Sequence, residues 1–160
     1  MSIPSHLSDY FGQRGARYEL CLHEHTRTSA QTARTAHVPP ALLAKSVILE
    51  DDTGCLMAVI PADQTVMVGE LGRMLGRSQL RLSDEARIAA LFDGCERGAV
   101  PPVGMAWGLE TIVDDTLEGH EVVYLEAGDH ESLLRMSGEQ FRELMRAQPH
   151  GHFCKPATTH

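Results

Sequence analysis

Several features of well-known protein classes are missing from this sequence. No apolar run approaches the roughly 20 residues that span a bilayer, and the first residues lack the basic and apolar regions of a signal peptide. The four cysteines stand far apart without CxxC spacing, which indicates neither a zinc knuckle nor a thioredoxin-type redox pair. We therefore expect a cytoplasmic protein with reduced, structural thiols and no membrane partner.

Catalytic and metal-binding motifs of fixed spacing are also missing. The sequence contains no GxSxG elbow, no P-loop, no GxGxxG followed by a helix and no HExxH. His23 and His25 are two residues apart, so on a strand both would lie on one face. A second group near the C-terminus could bind a metal or belong to an unstructured tail: His150, His152, Cys154 and His160. We favour the tail and expect neither a metal nor another cofactor.

Positive charge is scarce. Acidic residues outnumber basic ones by 22 to 14, and the net charge of −8 opposes nonspecific binding to a polyanion. Any contact with nucleic acid must therefore be local. One arginine-rich stretch could supply it, or could be a set of ordinary solvated side chains: Arg73, Arg77, Arg81, Arg87 and Arg97.

Length and pattern predict the fold class. A chain of 160 residues with 42% apolar residues fits one domain, which we place at residues 1–148, followed by a flexible tail at 149–160. Strands and short helices interleave without the regular alternation of a doubly wound parallel sheet. We therefore expect an α+β domain with a mixed sheet or barrel.

The stretch from Ala44 to Asp63 predicts a β-hairpin, because two apolar runs flank the turn residues DDTG. Lys45 stands at the mouth of the first strand, where a cation is costly to bury without a partner. Its ammonium either reaches water or points at a negatively charged group.

Helix starts and stops are marked by capping residues. Apolar spacing near the N-terminus, closed by Gly15, predicts an amphipathic first helix. Thr28 and Ser137 each precede a glutamine at capping-box spacing, and Ser83 is placed to cap a helix that runs from Asp84 to Phe92.

A loop and a strand end complete the candidate chemistry. The segment RGAVPPVG, residues 97–104, has two glycines and two prolines and should be a rigid loop able to offer backbone N–H groups. Asp114 and Asp115 follow a strand, but neighbours on an extended chain point to opposite faces, so at most one faces a site. With Lys45, these parts suit an anionic or ester substrate without identifying it.

In order and spacing, six short segments resemble the YbaK/ProX family of aminoacyl-tRNA deacylases, a module also inserted as the editing domain of bacterial prolyl-tRNA synthetases. The resemblance runs from about Tyr18 to Leu144. The segments are TSAQTA (28–33), AKSVILEDD (44–52), VIPAD (59–63), GAVPPVG (98–104), IVDDTL (112–117) and VYLEAG (123–128).

The resemblance implies a mixed, barrel-like β-sheet flanked by helices and a metal-free hydrolase that cleaves the ester of a mischarged aminoacyl-tRNA. The implied partners are the 3′ acceptor end of aminoacyl-tRNA and, as a second candidate, an aminoacyl-tRNA synthetase. An activated ester can be hydrolysed through positioning, backbone donors and a water assisted by the substrate's 2′-hydroxyl, so no side-chain nucleophile is needed. The alternative is a noncatalytic binding or sensor module that keeps the pocket.

The resemblance also implies roles for single residues. Lys45 matches the family's essential lysine, expected to hold the terminal phosphate or the ester. Gly98 and Pro102 match the ends of the GxxxP loop, whose backbone would face the aminoacyl carbonyl. Asp114 matches a strand-end aspartate near the pocket, and His25 lies in a segment that lines its entrance. The remaining expected substrate-binding residues belong to the same loop: Ala99, Val100, Pro101 and Gly104. Ala99 replaces a common second glycine, and Pro101 replaces a common Ser or Thr.

Overall fold

A computed structural model of the chain describes residues 3–157, and these residues form helices packed on a large mixed sheet. The predicted α+β class is confirmed. The α-helices within these residues are α1 (Ser5–Arg14), α2 (Ser29–Thr35), α3 (Val68–Leu75), α4 (Glu85–Leu91) and α5 (Gly138–Leu144). The strands are β1 (Glu19–Leu22), β2 (Leu43–Asp51), β3 (Gly54–Pro61), β4 (Gln64–Val66), β5 (Arg81–Leu82), β6 (Glu110–Asp114), β7 (Val122–Glu126), β8 (Ser132–Ser137), β9 (His150–Gly151) and β10 (Cys154–Pro156).

The main sheet has eight strands and mixes both pairing directions. Seven strands follow the order β1-β8-β7-β2-β3-β6-β9, and β5 pairs with β2 beside this path. The pairs β2–β7, β3–β6 and β6–β9 are parallel, whereas β1–β8, β7–β8, β2–β3 and β2–β5 are antiparallel. The sheet is not a closed barrel. A separate ladder joins β4 and β10.

The predicted hairpin forms the centre of the sheet. Strands β2 and β3 pair over eight residue positions, from Ala44 opposite Pro61 to Asp51 opposite Gly54. The Asp51 carboxylate accepts hydrogen bonds from both the backbone N–H and the hydroxyl of Thr53, which fixes the turn. Apolar side chains of the hairpin enter two core clusters, so both faces of the hairpin are covered.

Strand β2 has two different partners along its other edge. Parallel pairing with β7 covers Leu43 and Ala44, and antiparallel pairing with β5 covers Leu49 and Glu50. The Ile48 carbonyl still accepts from Ser83 N–H at 2.9 Å, so residues 45–47 lie opposite an opening in the sheet. Ser46 reaches across it, because its hydroxyl donates to the Val100 carbonyl at 3.0 Å. The opening therefore sits beside Lys45.

Two of the predicted helix caps are confirmed, and one is wrong. The hydroxyls of Thr28 and Ser137 accept hydrogen bonds from the N–H groups of Gln31 and Gln140. Helix α4 begins one residue later than expected: its cap is Asp84, which accepts from Arg87 N–H at 2.8 Å, and not Ser83. An aspartate competes well for this position because its carboxylate also favours the positive helix end.

The prediction of a flexible tail at residues 149–160 is wrong for most of that segment. Residues 150–151 pair with β6, residues 154–156 pair with β4, and Phe153 between them is fully buried. These strands have only two and three residues, which is too short for a periodic pattern to be visible in the sequence. Residues 158–160, including His160, lie outside the described part of the chain. Among residues 3–157, no helix combines the length and apolar character that a membrane crossing requires.

Candidate functional site

A pocket of about 780 Å³ opens beside the unpaired part of β2, and we call it the Lys45 pocket. This volume is in the range of small-molecule sites in proteins. Its walls come from the segment before and at the start of α2, from β2, from α4 and from the loop that precedes Val100. The lining residues are His25–Ala30, Lys45–Val47, Ala62, Glu85, Glu96–Gly98 and His130.

Lys45 presents a half-buried ammonium to the pocket. Its Nζ donates to the Ala62 carbonyl at 3.3 Å, and no carboxylate among residues 3–157 lies within ion-pair distance of it. Burial lowers the pKa of Lys45, and the more distant Asp63 only partly opposes this effect. An anionic ligand group would supply the missing partner and favour the charged form.

Gly98 lies in a tight turn formed by residues 96–99, which we call the glycine turn. Ala99 N–H donates to the Glu96 carbonyl at 3.0 Å, and Gly98 has a φ of 78°, the value required at the third position of a type II turn. A side chain would be strained at this φ and would also press against His130 and the Arg27 carbonyl. Glycine is therefore required here by the backbone.

Beneath the glycine turn lies a buried pair, Glu126 and His130, whose side chains are 1% and 2% exposed. His130 Nε2 donates to the Arg97 carbonyl at 2.7 Å, and Nδ1 lies 3.0 Å from a Glu126 carboxylate oxygen. Burial alone would lower the pKa of His130, but the Glu126 carboxylate and the Arg97 carbonyl outweigh it and raise the pKa above its usual value. A charged imidazole is therefore favoured under the turn.

This pair fixes the direction of one peptide group. The carbonyl and the N–H of a trans peptide point in opposite directions. Because the Arg97 carbonyl points at His130, the Gly98 N–H points away from it. Within residues 3–157 no protein acceptor receives that N–H. The turn therefore offers a backbone donor held in place by a buried ion pair.

Sequence reasoning missed Glu126 and His130. His130 stands in the segment GDHES, which reads as a turn, and its backbone indeed has a positive φ of 56°. A histidine at such a position is uncommon, and this was the available signal. Arg27, Ser46 and Glu96 also line the pocket and were missed, since nothing in their local sequence distinguishes them.

Only three of the nine expected site residues line the Lys45 pocket: His25, Lys45 and Gly98. The loop residues that follow Gly98 turn into the protein and are buried: Ala99, Val100, Pro101, Pro102 and Gly104. Val100 borders a neighbouring recess of about 230 Å³ that shares Ser46, Val47 and Gly98 with the pocket. Gly104 is a packing residue, because a Cβ there would overlap Thr111 and Met57. The loop supports the glycine turn from behind.

Asp114 does not line the Lys45 pocket. Its carboxylate is fully buried and accepts hydrogen bonds from Phe153 N–H at 2.7 Å and from the N–H and hydroxyl of Thr116 at 2.9 and 2.7 Å. Burial alone would raise the pKa of Asp114, but these hydrogen bonds hold it below its usual range. Asp114 thus joins the end of β6 to the C-terminal strands.

Two groups of possible metal ligands occur among the described residues, and neither lies in the Lys45 pocket. Asp114, His152 and Cys154 bring ligand atoms within 4.8 Å of one another, as do Asp115, Glu118 and His150. The Asp114 carboxylate already has N–H and O–H donors, and the second group is exposed. His23 and His25 do not belong to either group.

The arginine-rich stretch does not form a basic rim. Arg77 is bound to Asp51, Arg81 and Arg87 lie against Glu50, and Arg73 pairs with Glu70. Only Arg97 of this stretch reaches the pocket, where its Nε lies 3.3 Å from Glu85. Arg27, from outside the stretch, also lines the pocket.

The pocket brings the Lys45 ammonium and the glycine turn together, and these are groups that could contact an anionic or ester ligand. The family model described as aminoacyl-tRNA editing domain matches residues 23–144. The chain belongs to this family.

Proteins of known sequence or structure are also similar to this chain. The chain is 26% identical over 102 residues to proline–tRNA ligase of Lactobacillus helveticus (strain DPC 4571), a match that covers 64% of this chain and 18% of the ligase. The chain thus spans less than a fifth of that relative's length. The hypothetical protein APE2540 has the same fold, with a TM-score of 0.81 at 24% identity over 94% of this chain and 99% of that one. A proposed trans-editing enzyme for prolyl tRNA synthetase gives a TM-score of 0.79 at 22% identity, covering 96% of both chains.

Proposed function

We propose that this protein is a trans-editing hydrolase that cleaves the ester bond of mischarged aminoacyl-tRNA. The observation that carries the proposal is the meeting of Lys45 and Gly98 in one pocket, although they are far apart in sequence. Membership of the aminoacyl-tRNA editing domain family supports the substrate class. Since charged tRNA is used in the cytoplasm, we propose that the protein acts there.

The glycine turn would bind the aminoacyl carbonyl. Attack of water on the ester places negative charge on the carbonyl oxygen, and the Gly98 N–H is the donor that we assign to it. A donor held in place before the reaction stabilises this charge without reorganisation and is typically worth about 3 kcal/mol, roughly a hundredfold in rate. The Glu126–His130 pair would maintain the direction of this N–H.

Lys45 would bind the nucleotide side of the ester. Among residues 3–157 the ammonium has a single hydrogen-bond partner, the Ala62 carbonyl at 3.3 Å, so it can also contact a phosphate or a ribose oxygen of the terminal adenosine. This contact would place the ester over the glycine turn. Two serines line the pocket, Ser29 and Ser46, and within residues 3–157 neither hydroxyl is hydrogen-bonded to a histidine, a lysine or a carboxylate. This fits direct attack by water assisted by the substrate's 2′-hydroxyl.

The test is release of amino acid from a panel of tRNAs charged with Ala, Ser, Thr, Cys or Pro. We expect hydrolysis of one or two of these esters, and a loss of at least about a hundredfold in Lys45→Ala. Lys155→Ala is the matched control, because Lys155 is an exposed lysine on β10, and it should retain activity. Failure of the folded protein to cleave any ester above the spontaneous rate would overturn the hydrolase proposal and favour a noncatalytic binding module.

A further inference from the structure

Two carboxylates line the Lys45 pocket, and they have different partners. Glu85 lies 3.3 Å from the Nε of Arg97, a permanently charged guanidinium. Glu96 lies 2.8 Å from Nε2 of His25, and an imidazole can donate a hydrogen bond without carrying a charge. Among residues 3–157, no lysine or arginine lies within ion-pair distance of Glu96.

The position of Glu96 is fixed relative to the glycine turn. Its N–H donates to the Gly128 carbonyl at 2.7 Å, and its carbonyl accepts from Ala99 N–H at 3.0 Å. The Glu96 side chain therefore leaves a fixed backbone two residues before Gly98. Nε2 of His25 lies 3.1 and 2.8 Å from the two carboxylate oxygens of Glu96, which holds the carboxylate at the pocket wall while leaving other oxygen lone pairs open.

We infer that Glu96 binds the α-ammonium group of the substrate, an inference that rests on the proposed function for the identity of the ligand. In an aminoacyl ester the α-ammonium is attached to the carbon next to the ester carbonyl. A site that binds this carbonyl at Gly98 must therefore accommodate a cation close by. A carboxylate without a lysine or arginine partner is the chemical complement of that cation.

This assignment divides the pocket by charge. Lys45 suits the phosphate and ribose end of the substrate, whereas Glu96 suits its amino end. The substrate class is then limited to esters of amino acids with a free α-amine. Esters with an acylated amine, such as N-formyl or peptidyl esters, lack the cation and bring a bulky group against Glu96.

The experiment compares one charged tRNA, chosen as the best substrate of the wild type, with the same tRNA after chemical N-acetylation. We expect kcat/KM for the free-amine ester to exceed that for the acetylated ester by roughly tenfold or more. Glu96→Gln should lower kcat/KM for the free-amine ester about tenfold and leave the acetylated ester within about twofold. Glu85→Gln is the matched control and should preserve the ratio between the two esters.

Equal cleavage of both esters by the wild type, or an unchanged ratio in folded Glu96→Gln, would overturn the inference. A second measurement separates this failure from failure of the proposed function. Binding of non-hydrolysable 3′-aminoacylamido analogues of adenosine, with and without N-acetylation, is measured by calorimetry. If no ester is cleaved, the proposed function fails, but tighter binding of the free-amine analogue that depends on Glu96 still supports the assignment. Equal binding of the two analogues overturns it.

Discussion

Lys45 and Asp114 are both charged residues at the ends of buried strands, yet their surroundings are opposite. The Asp114 carboxylate accepts hydrogen bonds from two backbone N–H groups and a hydroxyl. The Lys45 ammonium has one carbonyl at 3.3 Å and faces an open pocket. The pKa of each group reflects its surroundings. Hydrogen bonds hold the pKa of Asp114 below its usual range, which favours its charged form, whereas burial lowers the pKa of Lys45, which disfavours its charged form.

A buried charge with a full set of partners stabilises the fold, whereas one with few partners remains available to a ligand. By this criterion Asp114 is a structural residue and Lys45 a functional one. Sequence position could not separate them, because both follow or begin an apolar strand. Substitutions at the two positions should therefore have opposite effects on activity and stability.

The largest effect is expected from Lys45→Met. The proposed contact with substrate is lost, so deacylation should fall by at least about a hundredfold. At the same time, removal of a poorly partnered ammonium should raise the free energy of unfolding by about 1 kcal/mol. Amino acid release and urea unfolding measure the two effects, and a variant that loses both activity and stability would contradict the distinction.

Asp114→Asn should show the reverse pattern. An asparagine NH₂ group cannot accept the hydrogen bonds that the carboxylate now receives, so the free energy of unfolding should fall by about 2 kcal/mol. Activity per folded molecule should change little. Asp115→Asn is the control, because Asp115 is exposed.

The lowered pKa of Asp114 also predicts that the stability of the fold depends on pH. Its folded pKa lies below the unfolded value, so its contribution is present above the usual carboxyl range and is lost as pH falls through the folded pKa. Wild-type stability should therefore decline at acidic pH more steeply than that of Asp114→Asn. Parallel curves for the two proteins would contradict this account.

Glu126→Gln should destabilise the protein by about 2 kcal/mol, because it removes the charged partner of buried His130. The raised pKa of His130 means that the pair contributes fully below the unfolded histidine pKa and that this contribution is lost as pH rises through the folded pKa. Unfolding measured from acidic to alkaline pH should show this loss in the wild type and a smaller one in the variant. In Glu126→Gln the Glu126–His130 pair no longer holds the Gly98 N–H in its direction, so kcat for deacylation should fall by a larger factor than KM rises.

The smallest effect is expected from His152→Ala. His152 Nδ1 lies 3.3 Å from Asp114, but its side chain is 60% exposed. Exposed pairs contribute little, so the free energy of unfolding should change by less than about 0.5 kcal/mol. A larger loss would mean that Asp114 depends on this histidine as well as on Phe153 and Thr116.

Local signals predicted the parts of the fold that depend on neighbouring residues. The hairpin of β2 and β3 followed from two apolar runs around DDTG, and the caps Thr28 and Ser137 followed from glutamines three residues later. Lys45 was a candidate because a cation at the mouth of an apolar strand is costly to bury without a partner. These features are visible within a few residues of sequence.

The remaining features depend on contacts between distant segments. Strands β9 and β10 are too short for a periodic pattern and exist because β6 and β4 supply their partners. Strand β8 was not predicted, since its apolar residues follow the turn around His130 without clear alternation. The role of His130 depends on Arg97, which is 33 residues away in sequence. No local rule connects these two residues.

The opening along β2 has a consequence for how such a pocket changes during evolution. Its length is set by where pairing with β7 ends and pairing with β5 begins, at Ala44 and Leu49. Exchange of a side chain that lines the pocket changes the pocket volume by as little as one methyl group. A difference of one methylene between two substrates is discriminated by only about 1 to 3 kcal/mol. A shift of β5 by one residue would instead alter the opening by about 3.3 Å at once. Backbone register thus offers large steps in substrate size, and side chains offer the fine adjustment within each step.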